Sequence, residues 1–539
     1  VSAATAYQIA DIYGLQGAGS AGMLDKSYRI VNNIDATGTA GWNSNGAMTP
    51  VYAGFKQIGT ASSVFSGNLD GGNYTVNGLF INRPLDENVG LIGYSVSGTL
   101  KNLVLANVDI TGGYNVGAMV GGTLGNPVQN ILASGRVVAT AGAAGGVVGF
   151  LRNGSLSASA MSGTVSGVNS VGGLVGYSGG SINNSYSTAS VTASGDYAGG
   201  LVGRNAGSSI SNSYATGAVT GGSNLGGLVG ENTGTVAGSF WDTQTSGRSS
   251  SAGGTGKTTA EMKQQATFAG WDIDNAGGTG KVWRIYEGHT GPLLRSFLTG
   301  LTLGDTTVTY NGTTQSGATT ALANVSGNAA SGLNASGTPY ASGYYSNQQG
   351  YDIGGGNLTI DKVILTYSAT AADKIYDGST TAAATLSGLT GLVGAETVTA
   401  TADATFNSKD VATANLVTVN SATLADGTNG GLASNYTITA GGTAVASITA
   451  KALTYSTAAA NKTYDGTNTA AATLNGLTGL VGAETVTATA NATFNSKDVA
   501  AASLVTVNTA TLADGTNGGL ASNYSIAGGG TAAASIAAK

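Results

Sequence analysis

The side chains that could do chemistry in this 539-residue sequence are few and far apart. His289 is the only histidine, so neither a Ser-His-Asp triad nor a histidine-based metal centre can be assembled in the ordinary way. Its His-Thr-Gly-Pro context reads as a turn. No cysteine is present, which removes disulfides, thiolate ligands and thiol nucleophiles. Paired carboxylates are what remains for catalysis. Asp272 and Asp274 lie two apart and could share one strand face in the manner of glycosidase acids. The plainer reading makes them part of a structural strand beside Trp271. A lyase or hydrolase groove needs several acids and arginines in register, whereas Asp109, Arg136, Arg152, Asp196 and Arg204 are scattered. For calcium, no D-x-[DN]-x-[DN]-G run or GGxGxDxUx array occurs. Asp426-Gly427-Thr428-Asn429 and Asp514-Gly515-Thr516-Asn517 could contribute oxygens or be plain loops. Tyr340, Tyr344, Tyr345 and Tyr351 could stack on a glycan or pack in a sheet. The expectation is therefore no enzyme: no catalytic residue, no cofactor and no metal site.

Composition narrows the partners. Charged residues make up 9% of the chain against about 25% in ordinary soluble proteins, so Ser, Thr, Asn and backbone must cover the surface. A net charge of −6 offers no basic stripe for nucleic acid or anionic membrane. With 89 glycines but 41% hydrophobic residues, the chain is expected to fold rather than stay disordered. No apolar run reaches the roughly 18 residues that span a bilayer. Val1 is not a start methionine, which suggests a processed chain or an internal piece of a longer one.

The element that must position everything else is a repeat. The sequences VGGLVG (171–176), AGGLVG (198–203) and LGGLVG (225–230) extend backwards through GGVVG, VGAMVG and VGLIG. Their closing glycines, Gly93, Gly121, Gly149, Gly176, Gly203 and Gly230, are 28, 28, 27, 27 and 27 residues apart. That beat is the signature of a solenoid, in which each coil buries its apolar face against the next. Within a coil, short β-like runs such as 182–186, 189–193 and 200–202 alternate with Gly, Ser and Asn. Such coils would stack at one strand spacing, giving about eight coils and about 40 Å of solenoid.

Three columns follow. Leu91, Met119, Val147, Leu174, Leu201 and Leu228 should face the core. Asn102, Asn130, Asn184 and Asn212, interrupted by Ala158, should form a ladder of side-chain amides, or else be surface turn residues. Ile92, Val120, Val148, Val175, Val202 and Val229 either turn a corner into the core or form an external association stripe, since neighbouring strand residues point to opposite faces.

The GGLVG coil with its I-x-N-S-Y strand, at 182–186 and 210–214, resembles the GLUG motif of large bacterial surface and secreted proteins, over roughly residues 28–241. The resemblance implies a parallel β-solenoid stalk; it does not imply an activity. Thr5 with Gln8, followed by Tyr7, Ile9, Ile12 and Tyr13, predicts a capping box and a helical N-terminal cap over 1–24, ahead of a solenoid over 25–240. Thr258 with Glu261 makes a second capping box, with about two helical turns expected inside a C-terminal cap at 241–298.

Beyond it, residues 299–363 read as a short β module. An 88-residue tandem pair then occupies 364–451 and 452–539: Lys374 through Gly378, Phe406, Asn435-Tyr436 and Lys451 recur at Lys462 through Gly466, Phe494, Asn523-Tyr524 and Lys539. Asp377-Gly378 and Asp465-Gly466 are hairpin-turn dipeptides. The pair resembles the YDG domain of filamentous-haemagglutinin-type exoproteins.

The fold class expected is all-β: a capped parallel β-helix followed by a string of small β modules. These resemblances imply a secreted or surface-anchored bacterial adhesin or structural exoprotein, a stalk with beaded modules. A self-assembling filament or biofilm-matrix subunit is the alternative, and a polysaccharide-active β-helix enzyme the second. Implied partners are neighbouring copies, other surface proteins or glycans, and an outer-membrane secretion partner of the two-partner type. The expected location is extracellular or cell-surface.

Overall fold

The computed structural model describes residues 6–539, an all-β chain that divides into two compact units. One comprises the chain up to Gly304 with Thr319–Asn328 and Gly343–Gly355; the other holds Asp305–Ala318, Ala329–Ser342 and Gly356–Lys539. Residues 299–363, expected as one short module, are thus shared between the units.

The first unit is a parallel β-solenoid. On one side Tyr28, Leu69, Leu100, Val128, Leu156, Ile182, Ile210 and Val236 stack in register, each one coil above the last. A second side carries Ile81, Ile110, Val137, Val165, Val191 and Val219. A third carries the Ile92-to-Val229 column. The GLVG corner is fully regular for six coils, whereas the flanking sides continue at both ends.

The external-stripe reading of the valine column is corrected. Ile92, Val120, Val148, Val175, Val202 and Val229 are all 0% exposed, as are Leu91, Met119, Val147, Leu174, Leu201 and Leu228. Both columns reach the core because the chain bends at Gly90-Leu91 and at each equivalent pair, which breaks strand alternation. The glycines permit that bend through close backbone approach. A Cβ on Gly199 would lie 2.0 Å from the Val202 carbonyl oxygen, and one on Gly203 would lie 2.3 Å from the Ser170 carbonyl carbon.

The asparagine column is a ladder only in part, and backbone conformation is what all its members share. Asn102, Asn130, Asn184 and Asn212 all adopt left-handed backbone, φ +46° to +57°, and so does Ala158 at +47°. Asparagine is favoured there because it tolerates that conformation better than most residues. Asn130 does donate to Asn102 at 3.0 Å, and Asn102 to Asp70 at 3.0 Å, but no side-chain bond joins Asn184 to Asn212. The continuous ladder runs through the next residue. The Oγ of Ser159, Ser185, Ser213 and Ser239 each accepts the matching amide one coil earlier, at 3.1–3.2 Å. Each also donates to the carbonyl two residues upstream, at 2.8–2.9 Å. These buried hydroxyls satisfy amides that the kinked corner takes out of the sheet.

The ends differ from expectation too. Thr5 lies outside the described residues, and Gln8 belongs to a strand, Tyr7–Ile9, that pairs with Ser27–Ile30. The helix starts later, at Ile12–Gly17, capped by Asp11, whose carboxylate accepts the Gly14 amide at 2.7 Å. It buries Ile12 and Leu15. The Thr258–Glu261 box forms reciprocally, at 2.8 and 3.2 Å. It leads into two short 3₁₀ turns, Glu261–Lys263 and Gln265–Phe268, in place of an α-helix.

This segment covers the solenoid's flank. A register column of Val104, Leu132, Ala160, Tyr186, Tyr214 and Phe240 forms one apolar cluster with Met262, Phe268, Trp271 and Trp283. Tyr186 and Tyr214 stack at 4.9 Å with planes 3° apart. The apolar flank stripe exists, but it is this column, and the chain's own aromatic segment buries it.

The second unit contains the tandem pair as two copies of one module. In module 1, strands Val398–Phe406 and Leu416–Asp426 pair antiparallel, flanked by Thr381–Ala382 and Thr443–Val445. Val363–Ala371 pairs with Ala384–Thr390 and with Tyr436–Ile438. Module 2 repeats every pairing 88 residues later.

Replacing Val175 and Val202 together with lysine is expected to lower the thermal midpoint of the solenoid sharply, because each charge enters a core without a partner at a cost on the order of 4 kcal/mol. Circular dichroism melts of the full chain check this; an unchanged midpoint with reduced self-association would restore the stripe.

Candidate functional site

The sequence-predicted chemical residues are separately engaged. Asp272 pairs with Lys281 at 2.8 Å, and that lysine is the main cause of its lowered pKa. Asp274 pairs with Arg295 instead. His289 sits in a turn, its ring stacked on Tyr345 at 4.2 Å. Asp426 accepts the Ala433 amide at 2.7 Å, and Asn429 donates to the Ala395 carbonyl at 3.0 Å, so their loop is closed by its own bonds. Tyr344, Tyr345 and Tyr351 pack against Tyr286, Leu293 and Ile353, while Tyr340 belongs to the other unit. Among the described residues, no group of three or more His, Asp or Glu side chains is arranged to hold a metal ion.

Sequence reasoning missed a buried ionic cluster in the first unit. Arg295 bonds both Asp352 and Asp274, and Arg284 lies 3.4 Å from Asp352 and over the Tyr286 ring at 4.1 Å. It fastens Gly343–Gly355 to the aromatic segment. No local motif announces it, because Arg295 lies 21 residues from Asp274 and 57 from Asp352.

The most organised polar arrangement is in the second unit, and it occurs twice. The Asp377-Gly378 turn is not a hairpin, because the strands on either side, Lys374–Ile375 and Thr381–Ala382, pair with different partners. Asp377 instead accepts the Ser379 amide at 2.9 Å and the Lys374 ammonium at 2.8 Å, while Gly378 takes φ +81°. This tight turn presents Tyr376 to the following module. There its hydroxyl donates to Glu484 Oε1 at 2.7 Å, and Tyr524 donates to Oε2 at 2.6 Å. Tyr524 in turn accepts the Val481 amide at 3.0 Å. The two rings meet edge to face at 5.5 Å and 81°. Asn523, fully buried, donates to Asp410 and accepts the Val411 amide, both at 2.9 Å.

The preceding joint has the same chemistry. Tyr310, from Tyr310-Asn311-Gly312, and Tyr436 each donate to Glu396 at 2.6 Å. Their rings meet at 5.8 Å and 83°. Asn435 reaches back to Asn334 at 3.1 Å and to the Ala335 amide at 2.8 Å. One carboxylate thus clamps a tyrosine of its own module and one of the module before. The hint available in sequence was the recurrence of Glu396 as Glu484 in a chain with so few acids.

Burial, followed by the bond to glutamate, pushes the Tyr310 and Tyr524 hydroxyls up to about 12 and raises Tyr376 and Tyr436 as well.

The YDG domain model matches residues 360–444 and 449–534, and the model of the GLUG motif matches 194–220. Halomucin of Haloquadratum walsbyi is 33% identical over 147 residues, 26% of this chain. The match spans only 2% of halomucin's own length. Among solved structures, one from Bacteroides ovatus, provisionally named an immunoglobulin A1 protease, aligns over 52% of this chain and 90% of its own. Its identity is 19% and its TM-score 0.39.

Glu484→Ala should destabilise the joint by about 2–3 kcal/mol, since two buried hydroxyls lose a charged acceptor; urea unfolding of the full chain, followed by hydrogen exchange in module 2, measures it. The tyrosines give a pH signature. A hydroxyl whose folded pKa is raised contributes fully below its ordinary value of 10.0, and that contribution is lost as pH climbs towards about 12. Module protection is therefore expected to fall across that alkaline window in the native chain.

Proposed function

We propose that this chain is a structural segment of an extracellular or surface-attached protein, a solenoid stalk with beaded β modules that serves adhesion. The observation that carries the reading is the repeated joint. In the tandem modules, the side chains best suited to bind something, Tyr376, Glu484, Asn523 and Tyr524, are committed to the joint between the modules. Such a surface suits transmission of load more than turnover of a substrate. The GLUG and YDG matches and the similarity to a protein named halomucin support a surface setting. Export through an outer-membrane partner of the two-partner type belongs to the same proposal.

The test is attachment. Beads coated with the full chain should be retained on cells or glycan-coated surfaces under flow, and soluble chain should compete with them. Retention equal to that of albumin-coated beads would sink the adhesin reading. Negative-stain electron microscopy over rising concentration separates the filament alternative, which requires polymers with a helical repeat where the adhesin reading requires discrete particles.

A further inference from the structure

Module 2 carries the tyrosine-bearing face a further time. Tyr464, Gly466 and Asp498-Val499 repeat Tyr376, Gly378 and Asp410-Val411 at the 88-residue offset. In the joint between the modules, Tyr376 is 1% exposed, and the Val481 side chain lies 2.8 Å from where a Cβ on Gly378 would stand. Gly312 is covered the same way by Val393, at 2.9 Å. On module 2 this face is uncovered. Gly466 keeps φ +82° with nothing within 4 Å of its Cβ position. Val499 is 40% exposed. The Asp498 side chain is 66% exposed, against 29% for Asp410. Among the described residues Lys497 pairs only with its neighbour Asp498, whereas Lys409 also donates to Tyr376 at 3.2 Å and lies 3.7 Å from Glu484.

We propose that this face of module 2 is a docking site for the glutamate-bearing face of a further YDG module. The partner is defined by its chemistry: a glutamate that accepts a second tyrosine hydroxyl, a valine three residues before it, and a downstream Asn-Tyr pair. Two joints within this unit already have that form, with different sequences on the tyrosine side and the same geometry. The contact is head-to-tail, so it does not close on itself, and each module added presents the same open face again. Both glutamate-bearing faces in this chain are occupied, Glu396 by Tyr310 and Glu484 by Tyr376. A second copy of the chain therefore has none to offer, and the occupant must bring a free one. This holds whether or not the chain mediates adhesion.

The experiment extends the full chain by one more copy of residues 452–539 placed after Lys539. Amide hydrogen exchange is then followed at residues 463–466 and 498–499, in the extended and unextended chains. Docking should slow these amides about tenfold or more. Tyr464→Phe should remove most of the slowing, and so should glutamate→Gln at the appended position equivalent to Glu484. The two changes together should do no more than either alone, because they break the same bond. In the unextended chain Tyr464→Phe should leave exchange unchanged. The proposal is overturned if the appended copy is folded, by the protection of its own strands, yet residues 463–466 exchange as fast as before. It is equally overturned if protection of these amides rises with concentration in the unextended chain and is lost in Tyr464→Phe, since the occupant would then be a second copy.

Discussion

The stacking of each residue on its own counterpart one strand spacing away governs the first unit. In a parallel in-register coil, whatever occupies a position is repeated about 4.8 Å above and below. Like charges in such a column repel through the whole stack, and no rotamer removes them from one another. Neutral columns are the stable solution: Ile-Val-Leu inside, and Ser, Thr and Asn outside. A solenoid surface of small polar residues with few charges is what this geometry favours. Where charges do occupy adjacent rungs they alternate in sign, as Arg204 over Glu231 and Arg136 over Asp109 do. The same constraint makes corners expensive, because a kink taken in one coil must be taken in every coil. The left-handed residues at this corner, and the serines that follow them from Ser159 to Ser239, are one answer to the amides each kink releases.

The two units solve the repeat problem in opposite ways. The solenoid repeats a surface against itself, so its core is continuous and its coils have no separate existence. The YDG modules repeat a pair of different faces, one bearing tyrosine and one bearing glutamate, and each module keeps its own antiparallel ladders. Their apolar clusters nevertheless cross the boundary: Tyr376 and Phe406 of module 1 share a cluster with Leu453, Val486 and Tyr524 of module 2. A joint with its own core and a charged clamp behaves as part of the fold, whereas a flexible linker would leave both faces wet.

What the sequence disclosed and what it withheld divide along the same line. The parallel solenoid, its inward leucine column and the modular tail were legible because period is a one-dimensional property. The valine column was ambiguous because alternation along a strand cannot reveal a bend at Gly200-Leu201. The asparagine column was visible, but the amide ladder read from it joins only Asn130 to Asn102, since asparagine serves both as an amide donor and as a residue that tolerates left-handed backbone. Ser159, Ser185, Ser213 and Ser239 were lost among the many serines of the chain. Asp377-Gly378 looked like a hairpin because that dipeptide usually makes one, and nothing local records that the flanking strands part company. Tyr376 and Glu484 are 108 residues apart, a pairing that only tertiary structure brings about.

The choice of a carboxylate at the joint has a physical reason. A purely apolar contact between two β modules would tolerate rotation and sliding, because dispersion is non-directional. The Glu484 carboxylate is oriented by Tyr524 of its own module at 2.6 Å, so the 2.7 Å bond it accepts from Tyr376 gives the contact between the modules a direction. The buried Asn523, bonded to both the side chain of Asp410 and the backbone of Val411, fixes the remaining freedom from a different direction. Desolvating Glu484 works against stability, but the alternative partner for each phenol is water that the closed joint excludes. The arrangement thus trades some affinity for a single orientation, and in a tandem array orientation is what accumulates. An error of a few degrees at one joint is carried into every module beyond it, so directional bonds matter more here than they would in an isolated domain.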